Sequence, residues 1–374
     1  MRADLTNAEI AELLALEAES SRPPAQRSLR RASRRAFLWD VEAVALIRSR
    51  RPVTELSGVG PYIGRLIREW IKSCPKTSQP PPIRSGFLTI HEARVALAAK
   101  NQWLSNIKGD LQMHSDWSDG SSTIAEMAAA ALDRDYEYIA ITDHAKGLKI
   151  AGGIDEEQLA RQGREIESLN ASIASSGKGF RVLRSIELNL NPKGEGDMSP
   201  ASLARLDIVL GCFHSSLRKL EDQTERYLSA LRNPTIQILG HPRGRIYNFR
   251  MGLSADWQRV FGEAAKLDKA VEIDGYPDRQ DLSPDLVRLA AKEGCRISLG
   301  TDSHGPSQLR FMEFSAASAL LAGVKRERIL NFMPTEDLLA WVGNVRDCSK
   351  PQNRSTRVSS TKSPSGRHSR RIPR

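Results

Sequence analysis

GDLQMHSDWSDG, residues 109–120, is an apolar run of strand length that ends on His114 and breaks at once into a turn of Ser, Asp and Gly. The same arrangement recurs down the chain. YIAITDH (138–144), IVLGCFH (208–214), IQILGHPRG (236–244) and ISLGTDSH (297–304) put His144, His214, His241 and His304 at the end of a strand-like run beside a turn. RVLRSIELNL (181–190) carries Glu187 where the others carry histidine. One histidine after a strand is ordinarily a core or surface residue. Five of the chain's seven histidines in one context need another explanation. Imidazole and carboxylate are the common ligands of zinc, manganese and iron. If the runs are adjacent parallel strands, their C-terminal ends share one face and these side chains converge there. The pattern predicts a multinuclear metal site.

Working outward, the whole of 107–343 alternates strand and helix. Strands are expected over 107–114, 136–143, 180–188, 206–213, 236–240, 270–273 and 296–300, with amphipathic helices such as SSTIAEMAAAALDRD and DEEQLARQGREIESLNASIAS between them. Seven strands with helical crossovers indicate an α/β protein with a parallel sheet. An open sheet concentrates its ligands at one switch point. Reactive residues at the end of strand after strand favour a closed barrel.

Upstream, residues 1–73 read as helical. NAEIAELLALEAES (7–20) has helical spacing, and 28–50 gives one or two more helices interrupted near Trp39. LSGVGPYIGRLIREWI (56–71) places Gly58 and Gly60 in a tight turn before Pro61 and a helix. This resembles a helix-hairpin-helix, an element that grips the DNA backbone through N–H groups at a helix start. Gly58, Gly60, Arg65 and Arg68 are its expected DNA contacts, and Arg30, Arg31, Arg34 and Arg35 precede it; a simple helical packing corner has the same pattern. Residues 74–106 form a linker, opening with the Pro-rich CPKTSQPPPIR, and a connecting helix. The tail, 344–374, reads as disordered and basic.

The net charge of +10 is unevenly spread: +5 over 1–80, +8 over 346–374 and −3 between them. Basic ends around an acidic, ligand-rich middle fit a polyanion, with nucleic acid first. The four cysteines have no CxxC spacing and no pairing pattern, which suits reduced thiols. The first 30 residues hold no signal-type apolar stretch, and no run of about 18 apolar residues occurs. A soluble, cytoplasmic protein is expected.

Taken together, DLQMHSDWSDG, AITDH, LRSIELN, GCFHS, GHPRG, VEIDGYPDRQDL and LGTDSH resemble, in order, the motifs of the PHP (polymerase and histidinol phosphatase) superfamily, over nearly all of 107–338. The resemblance implies a distorted seven-stranded β/α barrel with two or three divalent ions (Zn, Mn or Fe). It also implies ligation by His114, Asp119, His144, Glu187, His214, His241, Asp302 and His304. One departure stands out: many members begin with His-x-His, and the first position here is Gln112, a poor ligand for zinc. Some PHP modules attached to family X DNA polymerases share that glutamine. Residues 5–73 resemble the small helical DNA-binding domain that opens such polymerases. The palm is missing, so polymerase activity is not expected, and the lyase lysine of some such domains falls at Leu66.

Two or three divalent cations about 3.5–4 Å apart can deprotonate a water and neutralise phosphate oxygens during in-line displacement. The expected function is therefore a metal-dependent phosphoesterase acting on DNA ends, as a 3′→5′ exonuclease or 3′-phosphatase, with metal-activated hydroxide attacking phosphorus. Asp302 would bridge metals or orient the nucleophile, and His241 or His214 would serve as general acid. Arg243 would hold the substrate phosphate, with Arg245, Tyr247 and Arg250 adding phosphate and base contacts. Two alternatives remain open: a small-molecule phosphatase of the histidinol-phosphatase type, and a DNA-binding scaffold with structural metals.

Overall fold

Thr6 opens the first helix with a reciprocal cap: its hydroxyl accepts from Glu9 N–H while the Glu9 carboxylate accepts from Thr6 N–H. In this computed structural model, which describes residues 4–100, 102–177 and 179–348, that helix is α1 (Asn7–Ser20). It packs along α2 (Ala25–Ala36). The expected interruption near Trp39 is real. The chain breaks after α2, Trp39 turns inward to donate to the Ser57 carbonyl at 3.0 Å, and α3 (Ala43–Arg48) follows. A 3-10 turn, Val53–Glu55, leads to Gly58 and then α4 (Pro61–Ser73), with Pro61 at the first helical position. Gly58 has φ +81°, and a Cβ there would sit 3.2 Å from Arg35 Cγ, so glycine lets the hairpin close on α2. Ile10, Leu14, Leu29, Val53, Ile63 and Ile67 build a core of these helices, and Tyr247 from the second half of the chain enters it.

The linker is tied down at Arg84, whose buried guanidinium forms a two-bond pair with Glu12 of α1, both bonds 2.8 Å. The single connecting helix expected there is two, α5 (Ile90–Ala98) and the short α6 (Gln102–Ser105).

All strand pairs are parallel. In chain order they run β1 (Gly109–Met113), α7 (Ile124–Leu132), β2 (Tyr138–Ile141), α8 (Glu156–Ser175), β3 (Arg181–Arg184) and β4 (Glu187–Asn189). The short α9 (Pro200–Leu203), β5 (Leu210–Cys212), α10 (Thr224–Arg232), β6 (Ile238–Leu239) and α11 (Trp257–Lys266) follow. β7 (Ala270–Asp274), α12 (Pro284–Lys292), β8 (Arg296–Gly300), α13 (Met312–Leu321) and α14 (Thr335–Cys348) complete the order. One sheet is β1-β2-β3 and the other β4-β5-β6-β7-β8. The run expected over 180–188 is thus two strands: it stops pairing with β2 at Arg184 and starts pairing with β5 at Glu187. Parallel bridges at His144–Glu187 and Met113–Ser303 join the edges of the two sheets.

Leu111, Tyr138, Leu183, Leu210 and Ile238 of the strands form one buried cluster, which Leu338, Trp341, Val342 and Val345 of α14 join. The tail boundary at 344 is corrected accordingly: α14 runs on to Cys348 because Val345 is buried. From 349 onward the basic tail lies outside the described residues. Among the described residues, no helix is long and apolar enough to cross a membrane.

Candidate metal centre

Six of the eight strands bring a polar side chain to the cluster, five of them just after their last residue and β4 at its first. His114 follows β1, His144 follows β2, Glu187 begins β4, His214 follows β5, His241 follows β6, and Asp302 with His304 follow β8. Parallel pairing points these ends the same way, which is why residues far apart in the chain meet. Two of them, His241 (φ 21°) and Asp302 (φ 51°), sit in backbone conformations that side chains rarely adopt. Such strain costs on the order of 1–3 kcal/mol per residue and is held by the surrounding structure. At His241 the restraint is visible: its N–H donates to the buried Glu272 carboxylate at 2.6 Å.

Glu187 is the hub. Its Oε1 lies 2.6 Å from His214 Nε2 and 2.7 Å from His241 Nε2, and its Oε2 lies 3.3 Å from His114 Nε2 and 3.4 Å from His144 Nδ1. Asp302 Oδ1 is 3.0 Å from His114 Nε2. Asp119 Oδ1 faces three rings, at 3.3 Å from His304, 3.6 Å from His144 and 3.9 Å from His114. The His114 ring is stacked between those of His144 and His304, with centroids 4.4 and 4.5 Å away. All eight residues expected as ligands therefore come together. Donor atoms fall into groups compact enough to hold metal ions: His114/Asp119/His144/His304, His144/Glu187/His214 and His114/Glu187/Asp302. A further group, Glu187/Cys212/His241, brings in a buried cysteine.

The donor set fits cations on a second count. His114 Nδ1 and His144 Nδ1 are buried with no hydrogen-bond partner. Buried polar nitrogens without partners are rare and call for an explanation; a metal ion supplies one. Burial alone would push the Glu187 carboxyl up, but the imidazoles of His144, His241 and His214 outweigh it and hold it well below the ordinary range. Asp119 is likewise pulled down, against its burial, by His144 and His304. Behind this ionised layer, burial pushes Glu272 and Asp274 up to about 8 and Asp110 up to about 7.

Gln112 lies in that deeper layer. Its amide nitrogen either donates to Glu187 Oε2 at 3.3 Å or, with the amide turned over, to Glu272 Oε2 at 2.9 Å. It serves as a hydrogen-bond donor between two carboxylates. Glu272 and Arg279 were not picked out from sequence. Arg279 pairs with the Asp302 carboxylate and lines a cavity of about 170 Å³ over the cluster, together with His144, His214, His241, Arg245 and Arg250. Only the DRQ tripeptide after β7, an arginine beside an acidic turn, could have signalled Arg279.

Arg243, expected to hold phosphate, is not in that wall; its Nε donates to the Leu253 carbonyl at 3.2 Å and its N–H to Asp281. Tyr247 is corrected outright. It is 3% exposed, hydrogen-bonded to Ser33 at 3.0 Å and wedged edge-on against Phe37 and Phe87, so no base can stack on it. Arg245 is buried too, donating to the Arg279 and Gly86 carbonyls with its guanidinium over Phe87. Contact with the N-terminal helices takes up Tyr247, and the linker takes up Arg245. Arg250 donates to the Gly244 carbonyl at the cavity wall. Arg65 and Arg68 are exposed on α4, and neither lines the metal cavity. Leu148 and Ala151, from the Gly-rich tract after His144, do line it.

Comparison with known proteins follows the same outline. Residues 110–276 match the model of the PHP domain. The chain is 35% identical over 240 residues to the DNA polymerase/3′-5′ exonuclease PolX of Bacillus subtilis, a match covering 64% of this chain and 41% of that protein. It is 32% identical over 193 residues to a probable phosphatase of Photobacterium profundum, covering 49% of this chain and 72% of the relative. It thus spans less than half the length of the Bacillus protein but most of the Photobacterium one. A solved structure, histidinol phosphate phosphatase of Lactococcus lactis with zinc, L-histidinol and phosphate, aligns over 65% of this chain and 94% of that one. The TM-score is 0.38 and the identity 16%, too loose a superposition to carry a conclusion.

Proposed function

This chain belongs to the PHP domain family of phosphoester hydrolases, and on that premise we propose that it is a metal-dependent phosphoesterase acting on DNA ends, as a 3′→5′ exonuclease or 3′-phosphatase. The observation that carries the reading is Glu187, whose two oxygens face four imidazoles. On this reading the two parallel sheets, bridged at both edges, with β3 and β4 as one broken strand, make a single distorted seven-stranded barrel.

His114, Asp119, His144, Glu187, His214, His241, Asp302 and His304 would hold two or three ions, with zinc, manganese and iron all suited to this mixture of nitrogen and oxygen donors. When bound, such ions activate a water for attack on phosphorus and offset the charge of the phosphate oxygens. The chain's own groups do the rest. Arg279, already engaged with Asp302 at the cavity wall, orients the scissile phosphate. Asp302 aligns the attacking water. Where one of the two histidines is not engaged by metal it would instead serve as general acid, and His214, with 15% of its side chain open against 7% for His241, is the more accessible to a leaving oxygen. Residues 1–73 act as a helix-hairpin-helix unit in which Gly58, Gly60, Arg65 and Arg68 meet the DNA backbone. None of the four cysteines is in a disulfide, which suits work in the cytoplasm.

The small volume of the cavity over the cluster, about 170 Å³, favours a second reading, a small-molecule phosphatase. One experiment separates the two. The full chain, stripped and reloaded with manganese, zinc or iron, is given a 3′-labelled duplex, the same duplex with a 3′-phosphate, and histidinol phosphate. Release from either DNA, lost in His241→Ala, is expected. Turnover of histidinol phosphate alone would replace this reading by the second.

A further inference from the structure

A second cleft, of about 660 Å³, opens beside the metal cluster, with α2 as one wall and the loop after β7 and the turn after β8 as the other. Five arginines of α2 line it: Arg27, Arg30, Arg31, Arg34 and Arg35. On a helix of 3.6 residues per turn these positions share one arc, and the opposite arc carries Leu29, Ala32, Ser33 and Ala36. The structure follows that division, with all five arginines exposed and the other four residues buried. No acidic residue lies in α2. Among the described residues, the one ion pair any of the five makes is Arg34 with Asp278, at 3.9 Å. Like charges three and four positions apart on a helix repel, so an extended anion is the natural complement of this face.

The cleft and the metal cluster share a wall one side chain thick. Tyr276 lines the cleft, and its ring stands edge-on to that of His304 with centroids 6.1 Å apart. The Arg279 guanidinium, paired with Asp302, lies 5.1 Å from the centre of the same ring. Arg65 and Arg68 of the hairpin do not reach this cleft.

We propose that the cleft binds single-stranded DNA on its way to the metal cluster, with phosphates on the α2 arginines and a base against Tyr276. From Arg27 to Arg35 the helix rises about 12 Å, enough for about three or four nucleotides of a stacked strand at roughly 3.4 Å each. The proposal rests on the DNA-end reading for what happens at the cluster, and adds where the strand lies.

The test uses the metal-loaded full chain and a fluorescein-labelled oligothymidylate of twelve nucleotides, with anisotropy followed against salt. The variant is the triple Arg27→Gln, Arg30→Gln, Arg31→Gln, which breaks no ion pair and removes like-charge repulsion, so it melts at or above the wild-type temperature. Its affinity falls by at least about tenfold, and its log–log salt slope falls by about 2, at about 0.7 for each single-strand phosphate that an arginine no longer neutralises. Unlabelled oligothymidylate competes better than inorganic polyphosphate of equal charge, because only the former offers bases to Tyr276. Unchanged affinity and slope in the triple variant would overturn the proposal, and so would equal competition by polyphosphate. If the wild type binds the strand in this way but releases nothing from 3′ ends with any metal, the DNA-end reading falls and the strand site stands. If 3′ ends are processed with the same KM by the triple variant, the strand site falls and the DNA-end reading stands.

Discussion

Glu187 shows how much rests on one side chain, for it touches both halves of the histidine ring set and is fully buried among them. Glu187→Gln keeps the shape but replaces one anionic oxygen with a donor that faces imidazoles. Loss of even an outer partner of a metal ligand costs about 10–100-fold in affinity or activity; the Glu187→Gln chain is expected to lose at least about 100-fold in both, read by elemental analysis and phosphate release. Away from the site, Lys269 is 1% exposed and donates to the Asn233 carbonyl at 2.6 Å, and burial pushes its ammonium down from 10.5 to about 8. Between about pH 8 and 10.5 the unfolded chain keeps this proton and the folded one does not. Stability therefore rises with pH across that window. Urea unfolding at several pH values should show the rise, and Lys269→Met should remove it. Six of the ligand positions can be read from the sequence because each ends a strand or, like Glu187, takes the histidine's place in one. Asp119 and Asp302 come only by resemblance. Glu272 and Arg279 could not be read, since a glutamate inside a strand and an arginine in a polar turn look ordinary until the fold brings them to His241 and Asp302.

At the scale of elements, the contact between the N-terminal helices and the sheets is the least legible part of the chain. Tyr247 and Arg245 sit in a polar tract, GRIYNFR, that invites a substrate role; they instead fill the seam with Phe37, Phe87 and Ser33. Arg84 locks the linker to α1 through Glu12 and reaches Asn248 of the same tract at 3.2 Å. Removing one partner of a buried pair leaves an uncompensated charge, at a cost of about 3–5 kcal/mol. Arg84→Met is expected to destabilise the chain by about that much in denaturant melts, whereas Tyr247→Phe, which loses one hydrogen bond, should cost about 1 kcal/mol. The strands were legible because apolar runs of this length between amphipathic helices have few other readings. The break between β3 and β4 was not, because Ser185 and Ile186 are both buried and no Gly, Pro, Asn or Asp marks a turn there while the pairing changes hands. Nor was the end of α14, where the burial of Val345 against strand residues overrides a composition that reads as tail.

For the molecule as a whole, a helical unit with an arginine face lies against an α/β unit whose strand ends converge on a ring of imidazoles and carboxylates. If that ring is a metal centre, ions stabilise the folded chain by mass action. Chelation should then lower the melting temperature of the wild type and leave that of Glu187→Gln nearly unmoved. The most direct measurement titrates metal-free protein with manganese while release from 3′-labelled DNA and bound metal per chain are followed in the same samples. Activity is predicted to appear as a second ion per chain binds and to be absent from Glu187→Gln at every ratio. Full activity in the metal-free chain, or in Glu187→Gln, would contradict a hydrolytic centre built around Glu187.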